Sequence, residues 1–122
     1  MDKFEEACDP LDSRGDTMSK INYNGKIFRS VSNSDNGEVS TETLFHYSQE
    51  GNIVTAVYSG GGIITGTLIA LVDEQGVLDM RYQHINTKQE IMTGKCISKP
   101  EIFPNGKIRL HEEWQWTCKD YS

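Results

Sequence analysis

LHEEWQWTC, residues 110–118, places Leu110, Glu112, Trp114 and Trp116 at alternate positions. Successive side chains of a β-strand point to opposite faces, so an extended reading puts a carboxylate on the aromatic face. An ionised group on a buried face is costly to desolvate unless it is paired or wetted. The intervening row, with Arg109, His111 and Glu113, is polar, and a one-residue slip would bury it. The aromatic row is therefore the inner one, and Glu112 belongs to it.

The same alternation recurs along most of the chain. After Ser19, turn signals fall at Asn24-Gly25, Asp35-Asn36-Gly37, Glu50-Gly51, Gly60-Gly61-Gly62, Glu74-Gln75-Gly76 and Pro104-Asn105-Gly106. Between them lie runs rich in Ile, Val, Thr, Tyr and Trp, at residues 26–32, 41–48, 52–59, 63–72, 77–86, 91–98 and 107–118. Short runs with period-2 patterning between closely spaced turns predict an all-β antiparallel up-and-down meander of seven or eight strands. No stretch has a helical period. Residues 20–23 offer an eighth strand through a type I′ turn at Asn24-Gly25. Closure into a lipocalin-like barrel, complete or nearly so, would remove the sheet edges.

Turn lengths set registers. Glu50-Gly51 as a two-residue loop pairs Tyr47 with Val54 and Phe45 with Ala56, and Asn36-Gly37 likewise pairs Phe28 with Phe45. Three-residue loops at 74–76 and 104–106 pair Gly66 with His84, Leu68 with Tyr82, Ser98 with Glu112, Cys96 with Trp114 and Gly94 with Trp116. The 86–90 connection lacks glycine and leaves two registers open, one of which sets Gly94 beside Tyr82. The predicted inner row runs through Phe28, Phe45, Tyr47, Tyr58, Ile64, Gly66, Leu68, Met80, Tyr82, His84, Gly94, Cys96, Leu110, Trp114 and Trp116. Asp79, Arg81, Gln83 and Lys95 face out. Gly66 and Gly94 ease a bend or leave space for a guest or a neighbouring ring.

The chain's 122 residues suffice for one self-supporting domain. Its formal net charge of -6 is uneven: residues 1–18 hold six acids against Lys3 and Arg14. That segment reads as a flexible acidic extension, with residues 19–122 as a single barrel domain. The remainder is nearly balanced and has no basic stripe, so nucleic acid is not an expected partner. No apolar run approaches the roughly 20 residues of a membrane span, and the N-terminus lacks a signal-peptide pattern. Cys8, Cys96 and Cys118 form no CxxC and are odd in number, which fits reduced thiols and a cytoplasmic location. Oligomeric state is left open.

The inner row suggests a small-ligand site with Tyr58, Tyr82, His84, Glu112, Trp114 and Trp116 as its lining: apolar walls with a few convergent polar groups. The alternative places Glu112 at a wet barrel mouth around a filled core, leaving a structural or protein-interaction barrel. His46, His84 and His111 lie on different strands, with His46 and His111 pointing outward, so no metal site is expected. SGGGIITG, residues 59–66, continues as a strand and lacks the helix that a phosphate loop requires. No nucleophilic triad can be placed, and no cofactor is expected. Function therefore leans to a non-enzymatic module holding a small, partly apolar ligand, with an enzyme as the third reading.

The segments INYNGKIFRSVSNSDNGEVSTETLFHYSQEGNIV, DMRYQHIN, MTGKC and IRLHEEWQWTC, between Ile21 and Cys118, resemble a family of small bacterial proteins often labelled N-acetylglutamate synthase. That label implies an acetyl-CoA-dependent acetyltransferase. Such an enzyme ordinarily uses a mixed α/β fold with a pyrophosphate loop opening a helix, and this sequence offers neither. Family members open near Ile21, consistent with an extension before it. The expected barrel looks like the lipocalin and streptavidin type, a calycin-like architecture that does not itself carry function.

Overall fold

The computed structural model describes residues 2–6, 21–32 and 38–118. Eight antiparallel strands form a closed barrel in simple sequential order: β1 (Asp2–Glu6), β2 (Ile27–Ser32), β3 (Leu44–Glu50), β4 (Ile53–Gly60), β5 (Ile63–Val72), β6 (Leu78–Asn86), β7 (Ile91–Ile102) and β8 (Ile108–Trp116). Seven of them, β2 to β8, make the curled meander expected from the alternation, and β1 fills the seam between β2 and β8. This corrects the expectation for the start of the chain: residues 2–6 are a strand. DKFEE is short and charged and lacks the apolar alternation that marks the other strands. The rest of the acidic segment, residues 7–18, lies outside the described residues, as does the Asp35-Asn36-Gly37 turn.

The eighth strand is thus not residues 20–23. Among Asn24 and Gly25 only Gly25 has a positive φ, 80°, whereas a type I′ turn needs two such residues. Instead the segment folds beneath the barrel. Tyr23 is fully buried against Phe28 and Tyr47, and its hydroxyl donates to the Gly76 carbonyl at 2.7 Å. Together with Leu78, Leu110 and Val54, all fully buried, it fills one end of the barrel.

Four connections show how turn chemistry sets the pairing. The loops at 74–76 and 104–106 carry Gly76 and Gly106 at positive φ, and their registers are those the sequence dictates: Gly66 faces His84, Leu68 faces Tyr82, Ser98 faces Glu112 and Cys96 faces Trp114. The glycine-free 87–89 loop adopts the same form, with Gln89 in the left-handed position at φ 67°. Asn86 compensates by accepting the amides of Lys88 and Glu90 on its side-chain oxygen, both at 3.0 Å, and Tyr82 falls opposite Gly94. The β3–β4 hairpin departs from expectation by two residues: Glu50 pairs with Ile53, so the loop is Gly51 and Asn52. Gly51 at φ 63° occupies the first central position of a type II′ turn, and Phe45 therefore faces Tyr58 rather than Ala56. A two-residue shift preserves the faces.

One inner residue is misassigned by simple alternation. Ile63 is 2% exposed and Ile64 is 47% exposed. The register with β6 slips between Ile63 and Thr65, a β-bulge that inserts one residue and flips parity at the start of β5.

Candidate functional site

The end of the barrel opposite Tyr23 is finished by polar and aromatic side chains around a cavity of about 50 Å³. Its wall combines Phe45, Tyr47, Tyr58, Leu68, Met80 and Tyr82 from β3 to β6 with His84 on β6. Glu112, Trp114 and Trp116 of β8 supply the facing side, and Glu38 and Val39 cover it from the β2–β3 connection. This volume exceeds the roughly 30 Å³ share of one liquid water but is far below the 300–1,000 Å³ of drug-sized pockets.

Glu38 orders one side of the cavity. Its Oε1 lies 2.8 Å from His84 Nε2, and its Oε2 accepts from the Asn86 side-chain amide at 3.0 Å. A carboxylate only accepts, so Nε2 carries the proton. In the neutral ring Nδ1 is then an acceptor for the Tyr58 hydroxyl 3.0 Å away, which also lies within donating distance of the Gln83 carbonyl at 3.3 Å. Asn86 thus links the strained Gln89 turn to the carboxylate that fixes the imidazole. Tyr58 stacks on Phe45 with centroids 4.4 Å apart. Burial, followed by the charges of Glu112 and Glu38, pushes its hydroxyl pKa up, which keeps the phenol protonated.

Glu112 occupies the middle layer, 7% exposed, and its Oε2 accepts from Ser98 Oγ at 2.8 Å. The cross-strand register of Ser98 with Glu112 creates that bond directly. The negative charge reaches both ends: after burial, Glu112 is the next cause of the raised pKa values of Tyr23, Tyr47 and Tyr58, and a smaller contributor at Tyr82.

The aromatic side depends on two glycines. A Cβ at Gly66 would lie 2.5 Å from Tyr58 Cζ and 2.7 Å from His84 Cβ, and one at Gly94 would collide with the Tyr82 ring. Each absent side chain therefore admits a neighbouring ring, the second of the roles the sequence allowed. Trp116 meets Tyr82, His84 and Trp114 edge to face, at centroid distances of 6.1, 5.8 and 5.1 Å. Trp116 is buried, and Trp114 is half-buried.

All six residues singled out from the sequence, Tyr58, Tyr82, His84, Glu112, Trp114 and Trp116, line this one cavity. His84 directs both ring nitrogens elsewhere than Glu112. Sequence reasoning missed Glu38 because it sits in a connection without periodicity, where only proximity to the Asn36-Gly37 turn marks it. It also left Tyr47 out of the proposed lining, although parity had placed it inside. His46 is exposed, and His111 bonds Glu101 at 2.8 Å. Among the described residues no group of three or more His, Cys, Asp or Glu is placed to hold a metal ion.

A closed antiparallel meander whose strand interior forms an aromatic, carboxylate-bearing cavity at one end defines a small barrel of the streptavidin and lipocalin type. The chain belongs to the avidin-like protein family, whose model matches residues 21–122. β1 thus comes from outside the matched segment. Searches of curated proteins and of solved structures each found no match.

Proposed function

We propose that this protein is a non-enzymatic binding module that takes a small, partly apolar ligand into the open end of the barrel. The observation that carries the reading is the convergence of Glu38, His84, Tyr47, Tyr58 and Glu112 on one aromatic-walled cavity while the other end is filled. Its volume suits a head group of a few heavy atoms, with any longer body resting on Trp114 at the mouth. The Glu38–His84–Tyr58 relay supports binding over catalysis, because the phenol is held protonated and hydrogen-bonded rather than activated. An acetyltransferase reading gains no support, since no helix among the described residues could open a pyrophosphate loop. The odd cysteine count without a CxxC pattern supports placing the protein in the cytoplasm as part of this reading. No helix of the described residues is long and apolar enough to cross a membrane.

The test is native mass spectrometry of the full chain purified from its own host, compared with the denatured mass. An extra mass lost on denaturation supports the reading, and a bare chain opposes it.

A second reading, a protein-contact barrel, rests on the outer face of β4 and β5. Ile53, Val57, Ile69 and Leu71 are each about half exposed there, with Ile53 opposite Leu71. Beside them Asp79 and Arg81 of β6 offer both charges, paired at 2.8 Å. Such a patch suits a second copy of the same chain. Sedimentation equilibrium of the wild type and Ile69→Glu tests it: a dimer that the variant dissociates supports self-association, and a wild-type monomer opposes it.

A further inference from the structure

The first strand of the barrel is joined to the rest unlike any other. The connections that follow β3, β4, β5, β6 and β7 are two to five residues long, whereas residues 7–26 separate β1 from β2. Short hairpin loops dictate register, and a connection of that length does not. β1 also lies outside the segment that matches the avidin-like family, which begins at residue 21 and holds β2 to β8. Yet β1 closes the sheet, pairing with β2 on one side and β8 on the other. Without it those two strands would present facing edges whose amides and carbonyls call for a strand between them. The register defines which strand fits. Phe4 stands between Ser30 of β2 and Leu110 of β8, both fully buried, so the aromatic residue holds the sheltered position. Glu5 stands between Arg29 and Arg109, so an acid holds the position with a cation on either side. The fit is incomplete: the pairing with β2 slips between Lys3 and Phe4, and Glu6 falls opposite the fully buried Phe28.

We propose that the seam between β2 and β8 is a peptide-binding groove that accepts an extended strand, and that Asp2–Glu6 of this protein's own chain is its detachable occupant. The strands β2 to β8 hold the curled sheet without it, and the emptied seam takes the same segment from a separate molecule. Main-chain hydrogen bonds to both edges supply the affinity of such strand addition, and alternate side-chain positions supply the choice of sequence. Here those positions select an aromatic residue followed by an acid. The groove runs along the side of the barrel, so the proposal goes beyond the ligand reading of the open end and does not depend on it.

Two measurements on the full chain test it. In native-state hydrogen exchange of the wild type, the amides of Lys3, Phe4 and Glu5 are expected to exchange about tenfold or more faster than those of Leu68 and Tyr82, through an opening confined to the seam. In the second, Phe4→Pro withdraws the occupant, because proline lacks an amide and interrupts a strand flanked on both sides. The variant is expected to remain folded and to bind a fluorescein-labelled peptide of residues 1–7, MDKFEEA, with a saturable rise in anisotropy. Wild type, whose tethered strand competes for the seam, should bind that peptide about tenfold or more weakly. A peptide carrying Phe4→Ser should lose about tenfold or more in affinity for the variant, since it forfeits the aromatic burial. One carrying Glu5→Lys should lose less, by a factor that shrinks as salt is added. Amides of β1 that exchange only with global unfolding would overturn the proposal, as would a Phe4→Pro chain that does not fold. A folded variant that binds no peptide, or binds it no better than wild type, or is indifferent to Phe4→Ser, would overturn it equally.

Discussion

The two ends of the barrel use the same strands and finish them differently. At the closed end Tyr23, Phe28, Val54, Leu78 and Leu110 are sealed from solvent, and the one polar reach, from the Tyr23 hydroxyl to the Gly76 carbonyl, is satisfied locally. At the open end the inner row turns to Tyr58, His84, Glu112 and Trp116, and its hydrogen bonds run across to Glu38 in a connecting loop. Packing at the first end contributes stability through apolar burial. At the second, part of the same inner surface is given to charged and polar groups that a purely structural core would avoid. Strain follows the division: Gln89, the non-glycine residue with positive φ among those described, sits in the loop at the open end.

Truncation should expose the contrast most strongly. Phe28→Ala is expected to cost about 3–5 kcal/mol in denaturant unfolding and to leave any resident mass of the native spectrum in place. Trp116→Ala is expected to cost a similar amount, about 3–5 kcal/mol, and to lose the resident mass as well. Loss of binding in a folded Phe28→Ala protein would break the division between the ends. A smaller effect, about 1–3 kcal/mol, is expected from Gly94→Ala, whose new methyl must displace the Tyr82 ring. Calorimetry gives the cost. A change in tryptophan emission without ligand would show that the displacement reaches Trp116.

Alkaline pH addresses the tyrosines at both ends. Burial raises the pKa of Tyr23, Tyr47, Tyr58 and Tyr82 above its ordinary value of about 10, with Glu112 or neighbouring groups adding to it. Above that value the unfolded chain loses these protons while the barrel retains them. The unfolded state then binds fewer protons, and folding stability must fall as pH rises. The slope is about 1.4 kcal/mol per pH unit for each such tyrosine, starting near pH 10 and ending as each folded pKa is passed. Denaturant midpoints across that range, read beside phenolate absorbance, check this; more than one of the five tyrosines ionising before unfolding would contradict it, since Tyr121 is not among the four. The smallest effect is a gain: Gln89→Gly should stabilise the chain by about 1 kcal/mol by relieving the left-handed backbone.

How much of this could be read from the chain follows from where periodicity holds. The inner rows of β6 and β8 are uninterrupted, and glycine-bearing three-residue loops at 74–76 and 104–106 fix their partners, so Gly66 beside His84 and Ser98 beside Glu112 are legible as sequence. The β3–β4 slip was harmless because two residues restore the face. Ile64 was not protected in this way, since a bulge adds one residue and alternation has no signal for it. β1 is too short and too charged to announce itself, and its partners are remote in sequence. Glu38 shows the same limit at the site itself. Its place is fixed by His84 and Asn86, more than forty residues away, and by no local pattern.

The central claim is that ligand enters the open end and not the plugged one. Nitrogen–proton correlation NMR of the full chain, with the molecule that native mass spectrometry finds resident and after its removal, tests it most directly. The account predicts that the indole signals of Trp114 and Trp116 move together between the two states while the amides of Gly25 and Gly76 at the closed end stay in place. Movement of the closed-end amides with the indoles unchanged, or no movement anywhere, would contradict it.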